Sequence, residues 1–448
     1  MRLARSIAAA SLAGLLLGAG CGAPRETPPS VLLIVVDTLR ADHLGTYGYA
    51  RPTSPHLDAL AQRGALFEHA QSTSSWTLPS MASLLTGLLP SRHGCGVDRS
   101  EGGAGEPRDF LALPEGLATL AQAHAAAGFD TAAFVTNNFL KPAFGLDRGF
   151  AHYEQRYPAE AEDVVARVVD WLHGRREGPY FVLVHLMDPH LPYDAGGGFA
   201  GTFTGGMKSS LSLPVREIRR LRQTAAHMPK ADREFVTAAY DEEIAYVDDQ
   251  IGRLLEAFGA AGSDGGPLVL VTSDHGEELF DHGGFEHGHS LYQELLHVPL
   301  ILAGPGIEPR RIETPVSLVD VAATLCALTG TEPGGLEGRS FEPLLRGAPL
   351  TPAEAISEGI LYGPEQSALL AWPLKVIVGP SATTTFDLAS DAHERHPLER
   401  APDEARLRAA LERRQVDDRA RARPAVRAEL DPTATSQLKS LGYAGDEE

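Results

Sequence analysis

Four short apolar runs rich in β-branched residues punctuate the chain: VLLIVV (31–36), FVLVHL (181–186), PLVLVTS (267–273) and VPLILAG (298–304). Runs of this kind predict strands buried on both faces. Between them the apolar positions recur at helical spacing, in SPHLDALAQRG (54–64), LATLAQAHAAAG (117–128) and YDEEIAYVDDQIGRLLEAFG (240–259). In the last segment Ile244, Val247, Ile251 and Leu254 share one stripe, with the acids on the other side. Strands alternating with helices predict an α/β fold, a doubly wound parallel sheet with helices on both faces. A Gly-rich patch at 195–206 followed by a basic helical stretch at 215–230 reads as a surface excursion near the site. From Thr351 the composition changes. KVIVG (375–379) and TTTFDL (383–388) predict strands of a small C-terminal α+β subdomain, and the Arg/Glu/Ala-rich segment 402–430 predicts a helix. The expected division is a catalytic domain over 31–345 and a C-terminal subdomain with a helical tail over 346–448.

The N-terminus carries a separate signal. Arg2 and Arg5 precede an apolar run from Ile7 to Ala19, too short to span a bilayer comfortably and shaped like an export signal over 1–20. The run ends in Leu17-Gly18-Ala19-Gly20-Cys21, which resembles a bacterial lipoprotein cleavage site. On that reading Cys21 is lipidated, 21–30 tethers the domain, and the protein sits at the cell envelope; a plain secreted signal is the alternative. Cys95 and Cys326 then remain, as one disulfide or two inert thiols. With 39 basic and 59 acidic residues the net charge is −20, which argues against nucleic acid as the main partner. An acidic chain still binds an anionic substrate where a metal supplies the positive charge.

Candidate chemistry gathers at the strand ends, where a doubly wound sheet places its site. Asp37 directly follows the first strand, a position that also suits a helix cap. The third strand ends in Ser273-Asp274-His275-Gly276, whose carboxylate and imidazole suit a divalent ion. In SSWTLPSMASLLTG (74–87), Pro79 fits a first helical turn and leaves Thr77 near the helix N-terminus, which favours an anion or alkoxide. Thr77 is therefore a candidate nucleophile as well as a candidate cap. The second strand runs into His185-Leu186-Met187-Asp188-Pro189-His190, a rigid polar pocket wall. DHGGFEHGHSLYQE (281–294) adds His282, His287 and His289, of which one or two are expected at the site.

The segments VVDTLRADHLGTYGY, SPHLDALAQRGALFEHA and WTLPSMASLLTGLLPSRHG resemble the opening of the sulfatase family of the alkaline-phosphatase superfamily. MDPHLPY, YDEEIAYVDDQIGRLL, TSDHGEE, HGHSLYQELLHVPLI and LVDVAATLCALTG continue the resemblance in order, over about residues 31–345. The ending TSQLKSLGYAG (435–445) is also similar to bacterial members. The resemblance implies an alkaline-phosphatase-like sheet and one divalent metal (Ca, Mn, Zn or Mg) held by Asp37, Asp274 and His275 beside Thr77. It further implies that His190 contacts substrate or protonates the leaving group, and that His289 or His287 holds the ester oxygens. A second metal on Asp188, His190 and His289 stays open.

Three departures from the family pattern change the expected chemistry. The sulfatase signature CxPxR, whose Cys or Ser becomes formylglycine, reads Thr77-Leu78-Pro79-Ser80-Met81 here. The paired acids of the family's metal site read Asp37-Thr38. Where the family carries a lysine, VTNN (135–138) offers Asn137 as the substrate-facing residue. A formylglycine hydrate sheds its sulfated intermediate by elimination, an exit closed to threonine. A phosphorylated threonine, by contrast, is open to attack at phosphorus. The expected function is a metal-dependent hydrolase of phosphoric or sulfuric esters of a small molecule, glycan or lipid. A phospho-group transferase of the phosphoethanolamine type and a catalytically silent binding protein on the same scaffold are the alternatives.

Overall fold

The computed structural model describes residues 27–99, 109–209, 211, 221–222, 224–259, 266–440 and 443. The export signal, Cys21 and most of the expected tether lie outside the described residues, as does most of 215–223.

Eight strands form the central sheet: Val31–Val36 (β1), Ala65–Phe67 (β2), Asp130–Val135 (β3), His152–Gln155 (β4), Tyr180–Leu186 (β5), Leu268–Thr272 (β6), Leu300–Ala303 (β7) and Arg310–Ile312 (β8). Their order is β8-β2-β7-β6-β1-β5-β3-β4. β1 pairs parallel to β5 and to β6, and β3 pairs parallel to β5 and to β4. β7 departs from the expected all-parallel arrangement, because it runs antiparallel to both β6 and β2. Within the expected run 298–304, Val298 belongs instead to a separate short strand paired with Ala70 across the Pro299 break, which leaves only Leu300–Ala303 in the main sheet.

Helices Pro55–Gln62 (α1), Thr77–Thr86 (α2), Leu120–Ala126 (α3), Ala161–Gly174 (α4), Lys230–Ala257 (α5) and Val319–Thr329 (α6) cover the sheet. The period-2 alternation of the strands decides which helix meets which side. Val31, Leu33 and Val35 of β1 share a core with Leu78, Leu85, Leu120 and Leu325 of α2, α3 and α6. Leu32, Ile34 and Val36 share the opposite core with Leu57, Val164, Ile244 and Ile251 of α1, α4 and α5. β1 is therefore buried on both faces, as an unbroken apolar hexamer requires.

The stripe Ile244, Val247, Ile251 and Leu254 faces this core, but the acids of α5 do not all face solvent. Asp241, Glu242, Glu243 and Asp248 are buried as well. Three of them serve backbone or side-chain donors. Asp248 accepts from the amides of His56 and Leu57 at the N-terminus of α1, both at 2.9 Å. Asp241 pairs with His43 and Tyr49, and Glu242 accepts from the amides of Phe203 and Thr204 at 2.6 Å. Buried charge is tolerated where such donors replace water.

The C-terminal segment forms an antiparallel four-stranded sheet, Ala355–Glu358 (β9), Ser367–Ala371 (β10), Leu374–Val378 (β11) and Thr383–Asp387 (β12). The segment expected to be helical over 402–430 is helical at Glu404–Arg421 (α7); beyond it Val426–Arg427 pairs with the strand at Phe110–Ala112. A last helix, Pro432–Ser440 (α8), packs against the turn Asn138–Leu140. Cys95 and Cys326 are buried free thiols rather than a disulfide, and burial pushes both upward in pKa.

Candidate active site

The polar residues that end the central strands meet at the carboxyl edge of the sheet. β1 lies between β5 and β6, so Asp37 comes between His185 and the Asp274-His275 pair, while Asn137 arrives from the end of β3. One nitrogen of His185 and one carboxylate oxygen from each of Asp37 and Asp274 lie within 4.8 Å of one another. His185 Nε2 is 3.7 Å from Asp37 Oδ2 and 3.9 Å from Asp274 Oδ2. His275 Nε2 stands 3.5 Å from Asp37 Oδ1 and 3.6 Å from Asp274 Oδ2. All four side chains are fully buried.

Asp37 Oδ1, Asp274 Oδ2 and both ring nitrogens of His185 have no hydrogen-bond partner. Buried polar atoms are almost always paired, so unpaired oxygens on both acids beside one His185 nitrogen in the same small space mark a place for a group of positive charge. Burial, followed by the Asp274 carboxylate, raises the pKa of Asp37 well above its ordinary value. Burial also acts on Asp274, but the His275 and His185 imidazoles override it and leave that acid at about 2. Two adjacent carboxylates that resist sharing negative charge are what a divalent cation relieves.

Local hydrogen bonds aim these groups. The Nδ1 of His275 faces the Gly276 carbonyl at 2.9 Å, and a carbonyl only accepts, so Nδ1 carries the proton. Nε2 is the ring atom turned toward the two carboxylates. The Asp274 carbonyl accepts from the hydroxyls of Ser80 (2.6 Å) and Ser72, which ties the end of β6 to α2. After Asp37 the chain turns through Thr38 at φ +58°, a costly conformation for a β-branched residue. Tyr240 holds that turn, donating its hydroxyl to the Thr38 carbonyl at 2.7 Å.

Thr77 is the first residue of α2, preceded by the extended Trp76. Its Oγ1 accepts from Asn137 Nδ2 at 3.2 Å and lies 3.4 Å from His275 Nε2. The same Asn137 nitrogen donates to Asp37 Oδ2 at 2.7 Å, and its Oδ1 accepts from the Phe139 amide at 2.8 Å. The Phe139 contact fixes which end of the amide is the donor. Asn137 therefore joins the acid and the hydroxyl with one NH2 group.

His190 and His287 form a second wall. The Nδ1 of His190 donates to the Leu191 carbonyl at 2.8 Å, and burial lowers its pKa to about 3, so the ring is neutral with Nε2 as acceptor. That Nε2 accepts from the Tyr443 hydroxyl at 2.7 Å. The same hydroxyl is 3.0 Å from His287 Nε2, and His287 Nδ1 is 2.8 Å from Glu277 Oε1. The His287 and His275 ring centroids are 4.6 Å apart, which links this wall to the acid cluster. Burial raises Glu277 to about 7 and carries His287 far below its usual range.

Of the residues singled out from sequence, Asp37, Thr77, Asn137, Asp274 and His275 are brought together, and His190 and His287 stand beside them. His289 is turned elsewhere: its Nε2 meets Glu278 at 2.7 Å and its Nδ1 the His287 carbonyl at 3.3 Å. The trio Asp188, His190 and His289 does not converge on a second metal position. Asp188 accepts from the Ala161 amide at 3.1 Å, and the two histidines are held by Tyr443, Leu191 and Glu278. Sequence reasoning placed His185 in the pocket wall but not beside the two acids, and it missed Glu277. The signal for His185 was present, since an imidazole inside a buried apolar strand needs a partner. Glu277 carried no such mark beside the exposed-looking run of acids.

Among known proteins, residues 29–331 match the family model for sulfatases. The chain is 26% identical over 433 residues to the Δ4,5-hexuronate-2-O-sulfatase of Bacteroides thetaiotaomicron, covering 86% of this chain and 85% of that one. A putative sulfatase of the same organism superposes with a TM-score of 0.71 at 22% identity, over 91% of this chain and 96% of that one. The phosphonate monoester hydrolase of Agrobacterium radiobacter superposes at 0.69 with 21% identity, over 88% and 95%.

Proposed function

We propose that this chain, which belongs to the sulfatase family, is a metal-dependent ester hydrolase that uses Thr77 as its nucleophile and prefers phosphoric to sulfuric esters. The observation that carries the reading is the Thr77 hydroxyl at the head of α2, 3.2 Å from Asn137 and 3.4 Å from His275, beside two buried acids with unpaired oxygens.

The metal would be held by Asp37, Asp274 and His275, with His185 as a further ligand. Bound there, a divalent ion supplies Lewis acidity and lowers the pKa of a nearby hydroxyl.

The chain's own residues do the rest. Asn137 orients the Thr77 oxygen and ties it to Asp37. Backbone N–H groups of the first turn of α2 face the transferring group and favour its negative charge. Thr77 Oγ1 gives its proton to solvent and attacks phosphorus in line; the bond to the leaving oxygen breaks, that oxygen takes a proton from water, and the departing alcohol donates to His190 Nε2. Water then attacks the phosphothreonine, releases phosphate and returns the Thr77 hydroxyl. A sulfothreonine lacks an equally accessible second step, which is why phosphoester turnover is favoured.

A carbohydrate or small-molecule ester is the proposed substrate class, supported by the hexuronate sulfatase named above. Export and anchoring through Cys21 remain part of the proposal; no helix among the described residues is long and apolar enough to cross a membrane. Turnover of 4-nitrophenyl phosphate, a matched phosphodiester and 4-nitrophenyl sulfate by metal-loaded protein tests the reading. Phosphoester turnover abolished by chelation supports it. Sulfate turnover alone contradicts the preference, and activity unaffected by chelation contradicts the metal.

A further inference from the structure

A residue far from every other site residue in sequence completes the site. Tyr443 is 2% exposed and reaches the carboxyl edge of the sheet from beyond α8. Three contacts hold it there. Its amide donates to the Leu438 carbonyl at 3.0 Å, and Leu438 itself is buried in the main core. Its ring meets Phe139 edge-on, with centroids 5.0 Å apart, in the same turn whose amide fixes Asn137. Its hydroxyl lies between the Nε2 atoms of His190 (2.7 Å) and His287 (3.0 Å).

The two imidazoles have few other options. Each has its Nδ1 occupied, by the Leu191 carbonyl and by Glu277, so each presents Nε2 to one shared oxygen position. In the structure that oxygen belongs to a phenol. Thr77 is 1% exposed and the neighbouring acids are fully buried, so this position is not spare space beside an open cleft. An ester cannot bring its leaving oxygen to His190 while the Tyr443 hydroxyl is there.

We propose that Tyr443 is an internal occupant of the leaving-group subsite: its phenol stands where the substrate's departing alcohol binds, and substrate displaces it. The subsite so defined takes a hydroxyl carried on a flat ring, with His190 and His287 on the oxygen and Phe139 against the ring edge. Phenols match that shape, whereas a bare phosphate or sulfate leaves the ring position empty. This assignment rests on the functional reading above for the name "leaving group", but the occupancy itself is independent of turnover.

The test uses the full metal-loaded chain, with Tyr443→Ala to empty the ring position and Tyr443→Phe to remove only the hydroxyl. Phenol is titrated calorimetrically into all three proteins, and KM and kcat are measured with the 4-nitrophenyl esters. Tyr443→Ala is expected to bind phenol at least tenfold more tightly than the parent protein. It is also expected to show a KM lowered by a similar factor, with kcat within about threefold, and competitive inhibition by phenol. Tyr443→Phe is expected to fall between the two. A kcat loss of tenfold or more in Tyr443→Phe at unchanged KM would mean that the hydroxyl takes part in the reaction, which overturns the proposal. Phenol binding equal in all three proteins overturns it too. Phenol binding confined to Tyr443→Ala, with no ester turned over by any of the three, sinks the functional reading and leaves the occupancy standing.

Discussion

Replacing Asn137 by alanine probes the join between acid and nucleophile. In the structure one amide nitrogen serves both Asp37 Oδ2 at 2.7 Å and Thr77 Oγ1 at 3.2 Å. A hydrogen bond to a buried carboxylate is worth about 1.5–3 kcal/mol, more than a neutral pair. Expressed as lost transition-state stabilisation, that is on the order of a 10- to 150-fold fall in kcat/KM. The effect on the acid has a definite sign. Asn137 lowers the pKa of Asp37 against the upward push of burial and of Asp274. Without it Asp37 holds its proton to higher pH, and a metal has to displace that proton on binding. Metal affinity in Asn137→Ala should therefore fall below that of the parent protein, with the gap widening as pH is lowered. Calorimetric metal titrations at several pH values, alongside ester kinetics at saturating metal, measure both effects. Removing the side chain also leaves the Phe139 amide without its acceptor, so a folding midpoint has to accompany the kinetics. Kinetics within threefold of the parent and pH-independent equal affinities would refute the reasoning and reduce Asn137 to the cap of a short turn.

Other perturbations give outcomes of known sign. His185→Leu removes the imidazole that stands 3.7 Å from Asp37 and 3.9 Å from Asp274, so metal should raise the variant's melting temperature much less than it does the parent's, and an equal rise in both would contradict the ligand assignment. Asp274→Asn should abolish metal-dependent turnover, and a metal-binding isotherm matching the parent's would contradict that. Glu243 is buried, and burial followed by Asp188 raises it to about 9 from an ordinary 4.5. Because the folded state keeps a proton that the unfolded chain has lost, this group's contribution to stability falls as pH rises from about 4.5 to about 9. Glu243→Gln removes that slope and should stabilise the protein by about 3 kcal/mol at pH 7, more at pH 8.5 and little at pH 4. Urea denaturation across that range checks it, and an equal effect at every pH would count against the assignment.

Much of the scaffold was legible because its signals are local. VLLIVV can satisfy its apolar side chains only between two layers, and the structure splits them between two cores. Asp37, Asp274 and His275 stood out because polar residues follow directly on such strands. The direction of β7 was not legible, since an apolar tetramer reads alike whichever way it runs. The buried acids of α5 were misread for a similar reason. Helical periodicity records where the apolar stripe lies, but not that Asp248 would find two free amides at the head of α1. His289 looked equivalent to His287 two residues earlier; the hairpin that pairs Glu278 with Glu286 turns one histidine to Glu278 and the other to the site. Tyr443 was visible only as part of a family-like ending, because the contact that matters joins it to His190 across 253 positions of sequence.

The central claim is that Thr77 becomes covalently phosphorylated during turnover. Metal-loaded protein mixed with excess 4-nitrophenyl phosphate, quenched in acid within the first turnovers and digested, gives the direct answer by mass spectrometry of the peptide spanning 74–87. The account predicts a phosphoryl group on Thr77 that disappears when substrate is exhausted and is absent from Thr77→Ala, which also fails to turn over. Full turnover by Thr77→Ala, or a phosphoryl group trapped on a different side chain, would contradict it.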